Sequence, residues 1–148
     1  MRTRRLAKLT PDAITALVAA GATMTSPYSV LLLDYLHGAA TRIADHDSAF
    51  GLRRDHFLVE ILAGWEPGPT KNGTSSCLWV KNLSNVLAQE AFAGGHPNLF
   101  GPDDHEQTAS AQAAYAQTAS DYGRNLAALQ KAKRRYDPCA VFSETGHQ

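Results

Sequence analysis

The sequence has 148 residues, of which 44% are hydrophobic and 19% charged, values of a folded globular chain and outside those of a disordered one. Its 14 Lys and Arg balance 14 Asp and Glu, which argues against a dedicated nucleic-acid binder, and no apolar run reaches the roughly 18 residues that a membrane span needs. One domain over residues 1–148 is expected, able to bury roughly 68–70% of its unfolded surface without staples.

Thr3-Arg4-Arg5-Leu6-Ala7-Lys8 resembles a twin-arginine export signal, with Leu17-Val18-Ala19-Ala20 as its apolar region. Pro11 and Asp12 interrupt that region where a signal is continuous. The same residues start a helix instead: Thr10 as N-cap, Pro11 at the first position and Asp12 in the first turn. Ile14, Leu17 and Val18 then form one stripe, and Gly21 is the expected stop. A cytoplasmic chain is the expectation.

After the breaker Ser26-Pro27, the run from Tyr28 to Leu36 predicts a strand, and its lack of alternation predicts cover on both faces. His37-Gly38-Ala39-Ala40 reads as a bulge or bend, with Thr41-Arg42-Ile43 continuing the extended chain, and Asp45-His46-Asp47-Ser48 as loop. A second strand is predicted from His56 to Trp65, with Phe57, Val59, Ile61, Ala63 and Trp65 on one face and Glu60 on the other. The two strands read as antiparallel neighbours. Glu66 to Ser76 is loop.

Helical spacing returns at Trp79, Leu83, Val86, Leu87 and Phe92, ended by Gly94-Gly95. From His105 to about Arg135 the chain is again helical, with Tyr115, Ala119, Tyr122, Leu126, Leu129, Lys133 and Tyr136 on one face. Gly123 is a candidate split point, and Asp137-Pro138 ends the run. Lys133 on this apolar face either snorkels or meets a carboxylate or carbonyl. The fold class is α+β: a partial antiparallel sheet flanked by helices. So short a sheet leaves apolar edges, and a homo-oligomer is expected.

Few motifs carry chemistry. Cys77 and Cys139 form no C-x-x-C, and two reduced thiols are expected, with a single disulfide as the alternative. His96, Asp103, Asp104 and His105 have ligand types but no helical pairing, so no metal site is assigned. No G-x-S-x-G, P-loop or G-x-G-x-x-G is present. The basic cluster Lys131, Lys133, Arg134, Arg135 suits the last turn of a helix, and Arg2, Arg4, Arg5 and Lys8 form a second cluster.

Tyr122-Gly123-Arg124-Asn125-Leu126, then Leu129, Lys133, Tyr136-Asp137-Pro138 and Phe142, resembles the C-terminal signature of berberine bridge enzyme-like FAD-linked oxidases. Upstream, Leu33-Asp34-Tyr35-Leu36-His37-Gly38-Ala39 is similar to that family's strand leading into Gly-Gly-Ala. Ser48-Ala49-Phe50 with Arg53 is similar to its Thr-Ala-Phe-x-x-Arg segment, and Trp65 ends the following strand as expected. The order of these segments spans about Thr10 to Phe142.

The resemblance implies the latter part of a substrate domain over 10–95 and the family's C-terminal segment over 96–148. The FAD-binding domain would come from a partner in trans, and this chain alone would not retain FAD. The implied reaction is oxidation of an alcohol, sugar or natural-product intermediate. Where the family has Tyr-x-Asn-Tyr or Tyr-x-Asn-Phe beside the flavin, this chain has His96-Pro97-Asn98-Leu99. Asn98 is the implied flavin contact and His96 its polar neighbour. Leu99 replaces a tyrosine that serves as base in some members and cannot move a proton, and Ala140 stands for an asparagine; no catalytic residue is assigned. Arg53 and Trp65 are expected to be structural. The alternative from another class is a non-catalytic interaction or dimerisation module, or a decayed gene fragment, that binds no flavin.

Overall fold

The computed structural model describes residues 1–24, 26–68, 73–92, 99, 122–139 and 141–142. They divide into two compact units, Met1–Leu36 with Asp55–Gly101, and His37–Arg54 with Pro102–Gln148.

The first unit is a three-stranded antiparallel sheet with two helices on one face. Strand β1 is Arg2–Leu6, helix α1 Pro11–Ala22, strand β2 Val30–Leu36, strand β3 His56–Leu62 and helix α2 Thr74–Leu87. The strand order is β1-β3-β2, so the predicted antiparallel pair is present and β1 is added on its far side. Arg2 pairs with Ile61 and Leu6 with Phe57, while Leu31 pairs with Ile61 and Leu33 with Val59. Because side chains alternate, Phe57, Val59 and Ile61 share the face that the helices cover. Leu6, Ala13, Leu17, Ala20, Val59, Ile61, Trp79, Val80, Leu83 and Leu87 form the core there.

Local signals place α1. The Thr10 hydroxyl accepts from the Ala13 N–H at 3.1 Å and donates to Glu90 Oε2 at 2.6 Å, so one side chain both caps the helix and ties it to the chain after α2. The buried stripe is Ala13, Leu17 and Ala20, not Ile14, Leu17 and Val18, and α1 runs through Gly21 to Ala22. The reason is close packing: small residues let α1 approach α2, where the Trp79 indole N–H donates to Ala20 O at 2.9 Å.

Three further expectations are corrected. Strand β2 is not covered on both faces: it is one of the sheet's two outer strands, and most of its side chains are exposed. Thr41-Arg42-Ile43 does not continue it, because Gly38–Thr41 is a 3-10 turn. Strand β3 stops at Leu62 rather than Trp65. Beyond it Ser29 Oγ bonds both N and O of Gly64 at 3.3 Å, a side chain replacing the ladder. The chains come so close there that a Cβ on Gly64 would lie 2.4 Å from Tyr28 O.

Helix α2 starts five residues before Trp79, at Thr74, and ends at Leu87; Trp79, Leu83 and Leu87 are its buried stripe, while Val86 faces out. The Gly94-Gly95 stop and the stretch 105–121 lie outside the described residues. In the second unit, Gly123–Asn125 is a 3-10 turn that leads into helix α3, Leu126–Tyr136, and Asp137 follows as its C-cap. The stop at Asp137 is present; the chain that a split at Gly123 would separate from this helix lies before Tyr122, outside the described residues.

Candidate functional site

His96 and Asn98, the expected flavin contacts, lie outside the described residues, as do Asp103, Asp104 and His105. Leu99 is described and half-buried. Ala91 and Phe92 precede this segment. Ala91 bridges to Leu6 on the free side of β1, and the Phe92 N–H donates to Arg5 O at 2.8 Å. The Phe92 ring meets the edge of His56 at 6.5 Å between centroids. Pairing with the outer side of β1 therefore fixes where the chain departs toward His96 and Asn98.

That departure point is beside a buried polar group of residues on the sheet face opposite the helices. Thr3, Arg5 and His56 are 5%, 3% and 1% exposed. Arg5 pairs with Leu58 and so lies diagonal to His56 on one face. Sequence reasoning missed this group, because Arg5 reads as one of a basic run and His56 as a strand end. The available signal was the alternation His56, Leu58, Glu60 opposite the apolar stripe. Across the sheet, Arg4 takes the helix face, where its Nε donates to Ser84 O in α2 at 2.9 Å. The N-terminal basic run is thus a strand with its arginines sent to both faces.

The residues that carry the family resemblance in the second unit form a set of clamps on the backbone. The Asn125 amide donates to Asp45 O at 2.6 Å and Ser48 O at 2.9 Å. Arg53 donates to Ala40 O at 2.9 Å and to the Ser48 hydroxyl, and its guanidinium lies 5.0 Å from the Phe50 ring centroid. Tyr-Gly-x-Asn and Ser-Ala-Phe-x-x-Arg thereby meet at the 45–48 loop. At the end of α3, Lys133 bonds the Asp137 carboxylate and Phe142 O. Asp137 also accepts from the N–H groups of Val141 at 2.7 Å and Phe142 at 3.1 Å. The Lys133 ammonium, helped by those two N–H groups, holds the Asp137 carboxyl below its ordinary value. Lys133 therefore meets both a carboxylate and a carbonyl.

In the first unit, Trp65 is a packing residue: its indole lies against Gly73, the N-cap of α2, so closely that a Cβ there would sit 2.4 Å from Cε2. Arg53 and Trp65 are thus each held in contacts within their own unit. Cys77 and Cys139 are both free thiols. Among the described residues no group of three or more His, Cys, Asp or Glu is placed to hold a metal, and no helix is long and apolar enough to cross a membrane.

The donor set bears on FAD. Asn125, Arg53, Lys133 and Asp137 direct their polar atoms at the chain's own loops. These four side chains are therefore taken up by the protein's own backbone, and no chemical step is assigned to them.

No family model matches the sequence, and no curated protein does. Among solved structures the chain is similar to a variant of BBE-like 1 from Physcomitrella patens, at 17% identity, over 93% of this chain and 28% of that one, with a TM-score of 0.65. The chain thus spans 28% of the length of the protein it matches. The small antiparallel sheet with its three helices is an α+β fold compatible with part of a BBE-like domain.

Proposed function

We propose that this chain is the substrate-domain and C-terminal part of a FAD-dependent oxidoreductase of the berberine bridge enzyme-like kind, acting with a FAD-binding domain supplied by a partner. Its substrate class is an alcohol, a sugar or a natural-product intermediate. FAD, when bound, supplies the hydride acceptor. Asn98 is the residue of this chain that contacts the flavin, with His96 as its polar neighbour, and Leu99 is a wall of the cavity. The observation that carries the reading is the likeness in fold over 93% of the chain. The motif order in the sequence points the same way.

The test is co-expression with a FAD-binding domain of this kind. The expected result is no flavin on the chain alone, flavin absorbance on the purified complex, and its bleaching by an alcohol or sugar substrate. Asn98→Ala then weakens flavin retention. Near-stoichiometric flavin on the chain alone overturns the need for a partner. A complex that never acquires flavin overturns the enzyme reading.

The second reading is a non-catalytic interaction module that binds no flavin. It is favoured by Leu99, which leaves no proton-moving side chain where some family members place one. If the enzyme reading holds, Leu99→Tyr is the substitution that raises turnover, within the 10²–10⁴-fold (roughly) that a general base contributes. If it does not, neither Leu99→Tyr nor His96→Ala changes anything measurable.

A further inference from the structure

Strand β2 pairs with β3 along one side, and no described strand pairs with its other side. Outer strands of monomeric proteins are usually guarded by Lys, Pro or a bulge. Val30–Leu36 reads VLLLDYL, its pairing to β3 is continuous, and its one charge is Asp34. Val30, Leu32 and Leu33 are 39%, 44% and 43% exposed, and they project to both faces. An apolar rim therefore follows the edge above and below.

We propose that this edge is a dimer interface in which β2 of a second copy adds antiparallel to β2. Two three-stranded sheets then become one continuous sheet. The strand is self-complementary. A two-fold axis through Leu33 sets Leu33 against its own copy, Leu32 against Asp34, Leu31 against Tyr35 and Val30 against Leu36. Each carboxylate then meets a leucine. Centring on Asp34 would instead place two carboxylates directly opposite, which is destabilising.

Tyr28, 60% exposed, and Tyr35, 48% exposed, extend this apolar rim, so a second copy meets apolar side chains along the whole strand. A net charge of zero provides no long-range repulsion against it. The dimer stands apart from the flavin reading, since it requires neither cofactor nor substrate.

Sedimentation velocity on the full chain, from about 1 to 200 μM, tests it. The expected result is a shift from 16.0 kDa toward twice that mass. Leu33→Lys places two ammonium groups against each other at the two-fold and raises Kd at least about tenfold. Val30→Lys acts in the same direction, and Ile14→Lys, on the exposed surface of α1, leaves Kd unchanged. Circular dichroism checks that each variant is folded. Amide exchange over residues 30–36 slows at the dimeric concentration, a readout that needs no variant. A chain that stays monomeric throughout, or a dimer that survives both folded lysine variants, overturns the proposal. So does a monomer whose β2 amides are protected only by a FAD-binding partner.

Discussion

Asn125 reaches 80 positions back along the chain to donate to Asp45 O, and its second amide bond, to Ser48 O, closes the same loop. The side chain acts only as a donor in these two bonds, and it is buried. A neutral donor held between two carbonyl oxygens has no good substitute.

This geometry sets a ranking. Asn125→Ala leaves two carbonyls without that partner and costs about 2 kcal/mol in urea unfolding. Asn125→Asp removes the donor and points a negative charge at both oxygens, so it is the worse of the two despite its closer shape. An Asn125→Ala chain as stable as the wild type would show that the amide bonds contribute nothing.

Gly73 sits at φ +70° with the Trp65 indole against it. Gly73→Ala carries two separate penalties: about 1–2 kcal/mol for a left-handed backbone with a Cβ, and the overlap with the ring. In a Trp65→Ala background only the first remains, so the cost of Gly73→Ala falls by at least about 1 kcal/mol. Additive costs in that double-mutant cycle would place the ring elsewhere.

Ser84 is fully buried in α2, and its hydroxyl has no hydrogen-bond partner among the described residues. Its carbonyl is heavily used, accepting from both Arg4 Nε and the Ala88 N–H. Ser84→Ala keeps the carbonyl, removes the unsatisfied hydroxyl and improves helix propensity. It stabilises the chain by about 0.5–1 kcal/mol in thermal or urea melts. A loss of more than about 1 kcal/mol would reveal an acceptor for that hydroxyl.

How much of this was legible depended on the range of the interactions. The Thr10 cap and the Asp137 stop are local, and a few neighbouring residues announce them. The apolar face of β3 was legible because Phe57, Val59, Ile61 and Ala63 alternate. Strand β1 was not, because three arginines in five residues hide any alternation and only pairing with β3 makes it a strand. The two-faced run of β2 was misread because an outer strand and a doubly covered strand present the same sequence. At the site, the motif containing Asn125 was recognisable by spacing, but its clamp on the 45–48 loop is a contact across the chain that no spacing encodes. His96 and Asn98 remain sequence assignments.

Asp137 gives the pH dependence. Its carboxylate binds Lys133 and accepts from the Val141 and Phe142 N–H groups, so one side chain closes the turn after α3. Its pKa lies below the ordinary 3.8, chiefly because of Lys133. The folded form thus binds fewer protons than the unfolded form between the two values. The stability that the turn gains is fully present above about pH 4 and is lost as pH falls through the depressed folded value. Carboxyl chemical shifts followed by NMR should therefore show Asp137 titrating below an unperturbed aspartate. Exchange of the Val141 and Phe142 amides should accelerate over that same acid range and stay flat from pH 5 to 8 (roughly) after correction for intrinsic rates. Asp137→Asn keeps the shape but removes the charge that Lys133 needs. It should give at neutral pH the fast exchange that the wild type shows only in acid, and no acid transition of its own. An Asp137 that titrates at or above 3.8 would mean that the Lys133 contact does not hold in solution.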